Sequence, residues 1–230
     1  MTQIILVRHC EAEGNAKRIF QGHTDAPISE NGRVQLDLLR QRLHAVPIEV
    51  IYSSPLQRAY QTAEAIHSFR EIPIEIKEDL MEINGGDWEG HYWKDLVTLF
   101  PEDCKLWVEQ PHLFAPNRGE PMQHVFDRMQ RSIIDIVTKH AKKTICVVSH
   151  GCAIRNLLCW AMGKTIEQLN DIDWCDNTAV SVIQFDDRLR PLIVFANDAS
   201  HLTRETSTLA NQTWWIRSDE RGSFYEDFGN

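Results

Sequence analysis

Short apolar runs alternate with longer amphipathic segments along most of this 230-residue chain. The runs at 3–7, 49–52, 74–77, 144–149, 179–185 and 192–196 are rich in apolar and β-branched residues and have the length of buried strands. The segments 32–43, 54–66, 122–137 and 151–162 carry apolar residues at helical spacing. Strands that are separated by helices of this length pair in parallel. The pattern therefore predicts an α/β fold with a mostly parallel central sheet and helices on both faces.

Capping residues mark the start of two of the predicted helices. Ser29 is a predicted N-cap for the helix over 32–43, and Ser54-Pro55 joins a capping side chain to a proline that suits the first helical position.

Between about 80 and 121 the alternation stops, and aromatic residues and short helical pieces predict an insertion over the crevice at the strand ends. We expect one domain over 1–230 that carries this helical insertion. The tail after His201, which ends with 223–230, has weak periodicity, and no element is predicted there.

Composition excludes several classes of protein. The chain is 43% hydrophobic and 25% charged, which is typical of a globular domain, and its net charge of −9 argues against nucleic acid as a partner. No basic leader and no apolar window of membrane-spanning length are found, so we expect no membrane contact and a cytoplasmic location. Six scattered cysteines suit reduced thiols, and without CxxC or HExxH spacing no metal site and no cofactor are predicted. A homodimer through a sheet edge or a helical face is compatible with such a fold.

Two histidines follow the ends of two predicted strands that are far apart in the chain. His9 comes after Arg8 at the end of the first run, and His150 precedes Gly151 at the end of the fourth. In an α/β sheet the carboxyl ends of the strands face the crevice where ligands bind. A guanidinium group suits phosphate, and imidazole is a nucleophile toward phosphorus. The pair of motifs therefore predicts phosphoryl chemistry on a small phosphorylated substrate.

Five ordered segments of the chain resemble the histidine phosphatase superfamily, which is also called the phosphoglycerate mutase-like family. They are Arg8-His9-Cys10-Glu11, Asn15 with Gln21-Gly22, Ser53-Ser54-Pro55-Leu56-Gln57-Arg58-Ala59, Leu80-Met81-Glu82 with Gly86-Asp87-Trp88-Glu89-Gly90, and Ser149-His150-Gly151. The resemblance covers nearly the whole chain. Any one segment would be weak evidence, whereas five in the same order are specific.

The resemblance implies a role for each of five catalytic residues. His9 would attack phosphorus and form a phosphohistidine intermediate, with its other ring nitrogen held by a backbone carbonyl. Arg8, Arg58 and His150 would stabilise the charge on the transferring phosphoryl group. Glu82 would protonate the leaving oxygen and later deprotonate water. Glu78, Asp79 and Glu89 lie near Glu82 in the sequence and compete for that role.

Four further residues are predicted to contact the substrate: Asn15, Gln21, Gly22 and Gly151. Gln21 and Gly22 are equally compatible with a simple turn. Cys10 departs from the family pattern, which has glycine at this position, and a side chain there is expected to narrow the site or to need an unusual backbone angle.

Three functions remain open from the sequence. The leading one is a metal-independent phosphomonoesterase on the phosphatase branch of the family. The first alternative is a phosphoglycerate mutase, but family mutases carry an adjacent pair of arginines in a larger insertion, whereas this insertion has only isolated cations at Lys94, Lys105 and Arg118. The second is a protein that binds a phosphorylated ligand without turnover, for which only Cys10 argues.

Overall fold

The computed structural model describes residues 1–212, and the end of the tail, 213–230, lies outside the described part. The strands are β1 (Thr2–Arg8), β2 (Val50–Ser53), β3 (Ile74–Ile76), β4 (Thr144–Ser149), β5 (Val180–Phe185) and β6 (Pro191–Asp198). The α-helices are α1 (Glu13–Ala16), α2 (Glu30–Leu43), α3 (Gln57–His67), α4 (Trp93–Leu99), α5 (Pro101–Glu109), α6 (Met122–Lys139) and α7 (Gly151–Ala161). Segments of 3₁₀ helix span Glu78–Leu80, Gly86–Trp88, Pro111–Leu113 and Ile166–Asp171.

The six strands form one mostly parallel sheet in the order β3-β2-β4-β1-β5-β6. Strands β3, β2, β4 and β1 pair in parallel, while β5 runs antiparallel to both of its neighbours. A short turn joins β5 to β6, which accounts for the antiparallel pairing of these two strands. The predicted α/β fold is confirmed.

Both faces of the sheet are covered, because successive residues of a strand point to opposite sides. On β1, Ile5 and Val7 belong to a core cluster with α2 and α3, whereas Ile4 and Leu6 belong to a larger cluster with α6, α7 and the insertion. This arrangement leaves the carboxyl ends of β1 and β4 as neighbours, with Arg8 opposite Ser149 in the register.

One of the two predicted helix starts is confirmed and the other is wrong. Ser29 caps α2 by accepting a hydrogen bond from the Gly32 amide at 2.9 Å. Helix α3 begins at Gln57 and not after Ser54. The carboxylate of Asp25, from a distant loop, accepts the Gln57 amide proton at 2.9 and 3.0 Å and so takes the place of a local cap.

The stretch from 78 to 121 contains α4, α5 and three 3₁₀ segments, and no strand is found in it. Its packing centres on aromatic side chains, of which Trp88 and Phe114 are fully buried with ring centroids 4.8 Å apart. Within residues 1–212, no helix combines the length and the apolar character that a membrane span requires.

Candidate active site

His9 lies directly beyond the last residue of β1 and is buried. Its Nδ1 lies 2.6 Å from the carbonyl oxygen of Cys10, and because a carbonyl only accepts, Nδ1 carries the proton and Nε2 keeps its lone pair. Burial, and then the positive charges of Arg58 and Arg8, hold the pKa of His9 well below its usual value. The ring is therefore neutral at pH 7 and presents one nucleophilic nitrogen.

Arg8 is the last residue of β1 and is also buried. Its Nη1 donates to the carbonyl of Cys175 at 2.5 Å, which fixes the plane of the guanidinium group. The predicted contact residue Gly151, at the start of helix α7, lies beside this group, since a Cβ there would be 3.4 Å from Cζ of Arg8. Both residues line one pocket at the carboxyl edge of the sheet.

Arg58 enters the same pocket from the first turn of α3, with 1% of its surface exposed. Its Nη2 donates to the carbonyl of Gly22 at 2.7 Å and its Nη1 to the carbonyl of Thr24 at 2.9 Å. Burial lowers the pKa of Arg58 to about 10, which leaves it protonated at pH 7. Its ion-pair partner among residues 1–212 is Asp25, at the long distance of 3.9 Å.

The two guanidinium groups create a concentrated positive charge inside an acidic protein. The Nε atoms of Arg8 and Arg58 are buried and have no hydrogen-bond partner in the described part of the chain. A buried donor without a partner costs free energy, and a buried charge costs more. Both costs would be recovered when an anion enters the pocket, and phosphate has the oxygens that guanidinium groups prefer.

His150 follows β4 and packs against His9, with ring centroids 5.0 Å apart. Its Nε2 lies 2.8 Å from Oγ of Ser54, and its buried Nδ1 has no partner among the described residues. Burial, followed by the charge of Arg58, holds the pKa of His150 well below its usual value. The expectation that His150 supplies positive charge therefore needs a bound anion, which would favour the protonated ring.

Glu82 lines the pocket from the insertion and is half-buried. Its Oε1 accepts hydrogen bonds from the amides of Ile83 and Ala153, and its Oε2 accepts from the amide of Cys152, each at 3.0 Å. The carboxylate is thus held at the N-terminus of α7, where the helix dipole favours negative charge. The competing acids Glu78, Asp79 and Glu89 are not among the residues that line the pocket. The two oxygens of Glu89 bind amides of two neighbouring loops.

The remaining predicted contact residues also line the pocket. Asn15 accepts the Ala12 amide proton through Oδ1 at 3.0 Å. Gln21 is buried, and its Oε1 has no partner within residues 1–212. Gly22 has a positive φ of +51°, and a Cβ there would collide with the Glu89 carboxylate. The nine predicted site residues thus meet in one place, with His150 packed against His9 and the other eight on the pocket wall.

Cys10 does not narrow the pocket, contrary to expectation. It is not among the residues with positive φ, and its side chain is buried away from the pocket lining. Its amide donates to Oγ1 of Thr62 at 2.9 Å, and its Sγ lies 3.9 Å from the carbonyl oxygen of Arg58 on α3. Burial raises the pKa of the Cys10 thiol to about 11, so the group stays protonated and unreactive at pH 7.

Sequence reasoning missed an aromatic part of the pocket and a residue behind His9. Trp93 and Trp107 of the insertion and Trp174 line the pocket, and Trp107 also belongs to the buried core. Asn177 donates through Nδ2 to the carbonyl of His9 at 2.9 Å and so fixes the backbone at His9. Composition signals neither role, because both depend on loops that meet only in the folded chain.

Two histidines and two arginines lie together at the carboxyl edge of a mostly parallel sheet. This arrangement is typical of an α/β protein that acts on phosphoryl groups. The family model of the histidine phosphatase superfamily (branch 1) matches residues 4–198. The chain belongs to this superfamily, and it is a phosphatase of the histidine phosphatase type.

Proteins with related sequences carry phosphatase names. Phosphoserine phosphatase 1 from Hydrogenobacter thermophilus is 36% identical over 203 residues, which cover 88% of this chain and 95% of that protein. A metal-independent phosphoserine phosphatase from Arabidopsis thaliana is 32% identical over 206 residues, covering 88% of this chain and 84% of its own length.

Solved structures show the same fold. YhfR from Bacillus stearothermophilus superposes with a TM-score of 0.84 at 33% identity and covers 87% of this chain and 99% of its own. A mutant phosphoserine phosphatase from Entamoeba histolytica in complex with phosphoserine has a TM-score of 0.79 at 27% identity, covering 88% of this chain and 100% of its own.

Proposed function

We propose that the chain is a metal-independent phosphomonoesterase in which His9 carries the phosphoryl group as a phosphohistidine. The observation that carries the proposal is the neutral His9 ring, with Nδ1 bound to a carbonyl and Nε2 unprotonated, beside two buried guanidinium groups. A neutral nucleophile avoids repulsion from the phosphate dianion, and the guanidinium groups attract that dianion.

In the first step, the Nε2 lone pair of His9 forms a bond to phosphorus while the bond from phosphorus to the ester oxygen breaks. The electrons of that bond go to the leaving oxygen, which takes a proton from Glu82. Charge spreads over the three equatorial oxygens in the transition state, and Arg8, Arg58 and His150 stabilise it. Glu82 is proposed for the proton transfer because it lines the same pocket, and the three amides that bind its oxygens fix its position.

In the second step, Glu82 takes a proton from a water molecule, and the water oxygen attacks phosphorus. The bond between Nε2 and phosphorus breaks, its electrons return to the ring, and orthophosphate leaves. One carboxyl group serves both steps because it loses a proton in the first and regains one in the second.

The alternatives are less well supported. A mutase has to bind the carboxylate of phosphoglycerate, and Arg8 and Arg58, the cationic side chains that line the pocket, are both at its phosphate-binding end. A protein that only binds its ligand would not need a free ring nitrogen beside a carboxylate, and every predicted catalytic position is filled.

The test is hydrolysis of a chromogenic phosphate ester in excess chelator by wild type, His9→Ala and His44→Ala. His44 is an exposed residue at the end of α2 and serves as the control. We expect turnover in wild type and His44→Ala, and loss of at least a thousandfold in His9→Ala, because no other group replaces the nucleophile. Alkaline quench of enzyme mixed with a radiolabelled ester should place the label on His9.

Label on another residue, or undiminished turnover in His9→Ala, would contradict the proposal. Interconversion of phosphoglycerates that depends on bisphosphoglycerate, without net release of phosphate, would favour the mutase. Binding of phosphate esters without any turnover would favour the ligand-binding protein.

A further inference from the structure

The pocket has a second region, whose lining is apolar. Beyond the phosphate-binding end, six aromatic and aliphatic side chains form its wall: Ile19, Phe20, Ile83, Trp93, Trp107 and Trp174. The substrate group that leaves as an alcohol has to occupy this region, because the phosphoryl group is held at Arg8, His9 and Arg58. The chemistry of the wall therefore selects the leaving group.

The aromatic part of this wall is held in place by its own contacts. Phe20 packs against Trp93 and Trp107, with ring centroids 5.2 and 5.8 Å apart. Trp107 stacks on Trp174, with ring centroids 6.0 Å apart and an interplanar angle of 24°. The guanidinium carbon of Arg155, a residue of α7, lies 4.7 Å from the centroid of the Trp174 ring. Such a wall is formed before a ligand binds, so its side chains lose little conformational entropy on binding. Aromatic and apolar groups pack favourably on it.

The charges in the pocket disfavour a second negative group on the substrate. Glu82 is an acid, and Asn15 and Gln21 are neutral. Arg155 donates to the carbonyl of Ile172 at 2.8 Å and to Oδ1 of Asn170 at 3.1 Å. A carboxylate on the leaving group would thus lose its water against an apolar wall and share the pocket with an acid. Among the described residues that line the pocket, the cations are Arg8 and Arg58, which hold the phosphoryl group.

We infer that the enzyme prefers monoesters whose alcohol is uncharged and aromatic or arylalkyl, and that it discriminates against esters that carry a carboxylate, such as phosphoserine and phosphoglycerate. This inference rests on the proposed function and adds its substrate class. It separates the chain from relatives that are named for phosphoserine, although the chain shares their fold.

The first experiment compares kcat/KM for esters that all release a primary alkoxide, so that differences in leaving-group basicity are kept small. The panel is 2-phenylethyl phosphate, ethyl phosphate, phosphoserine and 3-phosphoglycerate. We expect 2-phenylethyl phosphate to exceed both carboxylate esters by at least tenfold and ethyl phosphate by about tenfold, the size of effect that one apolar contact region gives.

The second experiment links the preference to the wall. In Trp93→Ala the ratio of kcat/KM for 2-phenylethyl phosphate to that for ethyl phosphate should fall about fivefold or more, and Trp93→Phe should restore most of it. The ratio is measured within one variant, so a general loss of active protein cancels. Trp160→Ala, which removes a half-buried tryptophan that stacks on Phe185 outside the pocket, should leave the ratio unchanged.

The outcomes separate the two proposals. If every active ester requires His9 but phosphoserine or 3-phosphoglycerate is hydrolysed within threefold of 2-phenylethyl phosphate or better, the substrate class is wrong and the proposed function stands. An unchanged ratio in Trp93→Ala also overturns the substrate class. If no ester is hydrolysed, or if hydrolysis survives His9→Ala, the proposed function fails and this inference fails with it.

Discussion

The reactivity of His9 is set by its immediate neighbours. The Cys10 carbonyl holds the proton on Nδ1, and burial together with Arg58 and Arg8 keeps the ring neutral. Cys10 takes part through its backbone, while its side chain packs on the side of α3. Replacement of a glycine by cysteine is therefore tolerated, since the catalytic geometry uses the main chain at this position and φ is not positive.

A prediction at this scale concerns the proton that Glu82 is proposed to donate. In Glu82→Gln, kcat/KM for ethyl phosphate should fall by about 10² to 10³, because an alkoxide needs a proton as it leaves. For 4-nitrophenyl phosphate the fall should be less than about tenfold, since nitrophenolate is stable without a proton. The value kcat/KM reports the steps up to cleavage of the ester and excludes hydrolysis of the phosphohistidine.

The control for this prediction is Glu78→Gln, which changes a neighbouring acid outside the pocket lining. It should leave both esters unaffected. An equal fall for the two esters in Glu82→Gln would show that Glu82 contributes to binding and not to proton transfer.

At the scale of elements, carboxylates from other parts of the chain sit at the starts of two site helices. Glu82 binds the first-turn amides of α7, and Asp25 binds the Gln57 amide at the start of α3. The loop at 22–24 is held from two sides. Arg58 binds the carbonyls of this loop, and Glu89 binds its amides at His23 and Thr24. The helical insertion and the phosphate-binding arginine are thus connected through one loop.

Removal of the Glu89 carboxylate should release this loop. Glu89 accepts hydrogen bonds from the amides of His23, Thr24 and Gly85 at 2.8 to 3.0 Å and from the Thr24 hydroxyl at 2.9 Å. In Glu89→Ala we expect about 2 kcal/mol lower stability, because several amides lose a charged acceptor, and a rise in KM of about tenfold, because Arg58 loses its fixed carbonyl partners. Hydrogen exchange at the three amides should become faster.

Thr24→Val is the matched control, because it removes only the hydroxyl bond to Glu89. Its KM should stay within about threefold of wild type. Unchanged exchange at His23 and Thr24 in Glu89→Ala would show that Arg58 alone holds the loop.

The same elements show what the sequence could predict. The bounds of the six strands lie within two residues of the prediction, because apolar runs of this length report burial directly. The start of α3 was predicted wrongly because its cap, Asp25, comes from another loop. The site residues at the strand ends could be predicted from their position in the chain. Which aromatic residues belong to the core and which line the pocket could not be predicted. Trp88 is core and Trp93 lines the pocket, and only tertiary packing separates them.

At the scale of the whole molecule, the segment that follows β6 returns to the start of the chain and packs behind the site. Glu11 accepts hydrogen bonds from the hydroxyls of Ser29 and Thr208 at 2.7 and 2.8 Å. Asp176 accepts from the amides of Thr208 and Leu209 at 3.1 and 3.2 Å. Residues from both ends of the described chain thus stabilise the loop that carries His9, the proposed nucleophile. The stability of the molecule and the order of the site are therefore connected.

His201 lies in the segment that follows β6, and its protonation should make the stability of the protein depend on pH. Its Nδ1 lies 2.8 Å from Nη1 of Arg42 and its Nε2 3.1 Å from Oγ1 of Thr178. Burial, and then the charge of Arg42, lower the pKa of His201 to about 4 in the folded state, against an ordinary value of 6.5 in the unfolded chain. Between these two values only the unfolded chain takes up the proton. The contribution of His201 to stability is therefore full above pH 6.5 and is lost as pH falls toward 4.

Urea unfolding of wild type and His201→Gln at pH 7 and pH 5 measures this effect. The free energy of unfolding of wild type should fall by about 1 kcal/mol more than that of the variant between the two pH values, after allowance for the half-exposed position of the ring. His44→Gln, which changes an exposed histidine, should follow the wild-type slope. Parallel slopes for wild type and His201→Gln would show that His201 is protonated in the folded chain at pH 5, with Arg42 displaced from the ring.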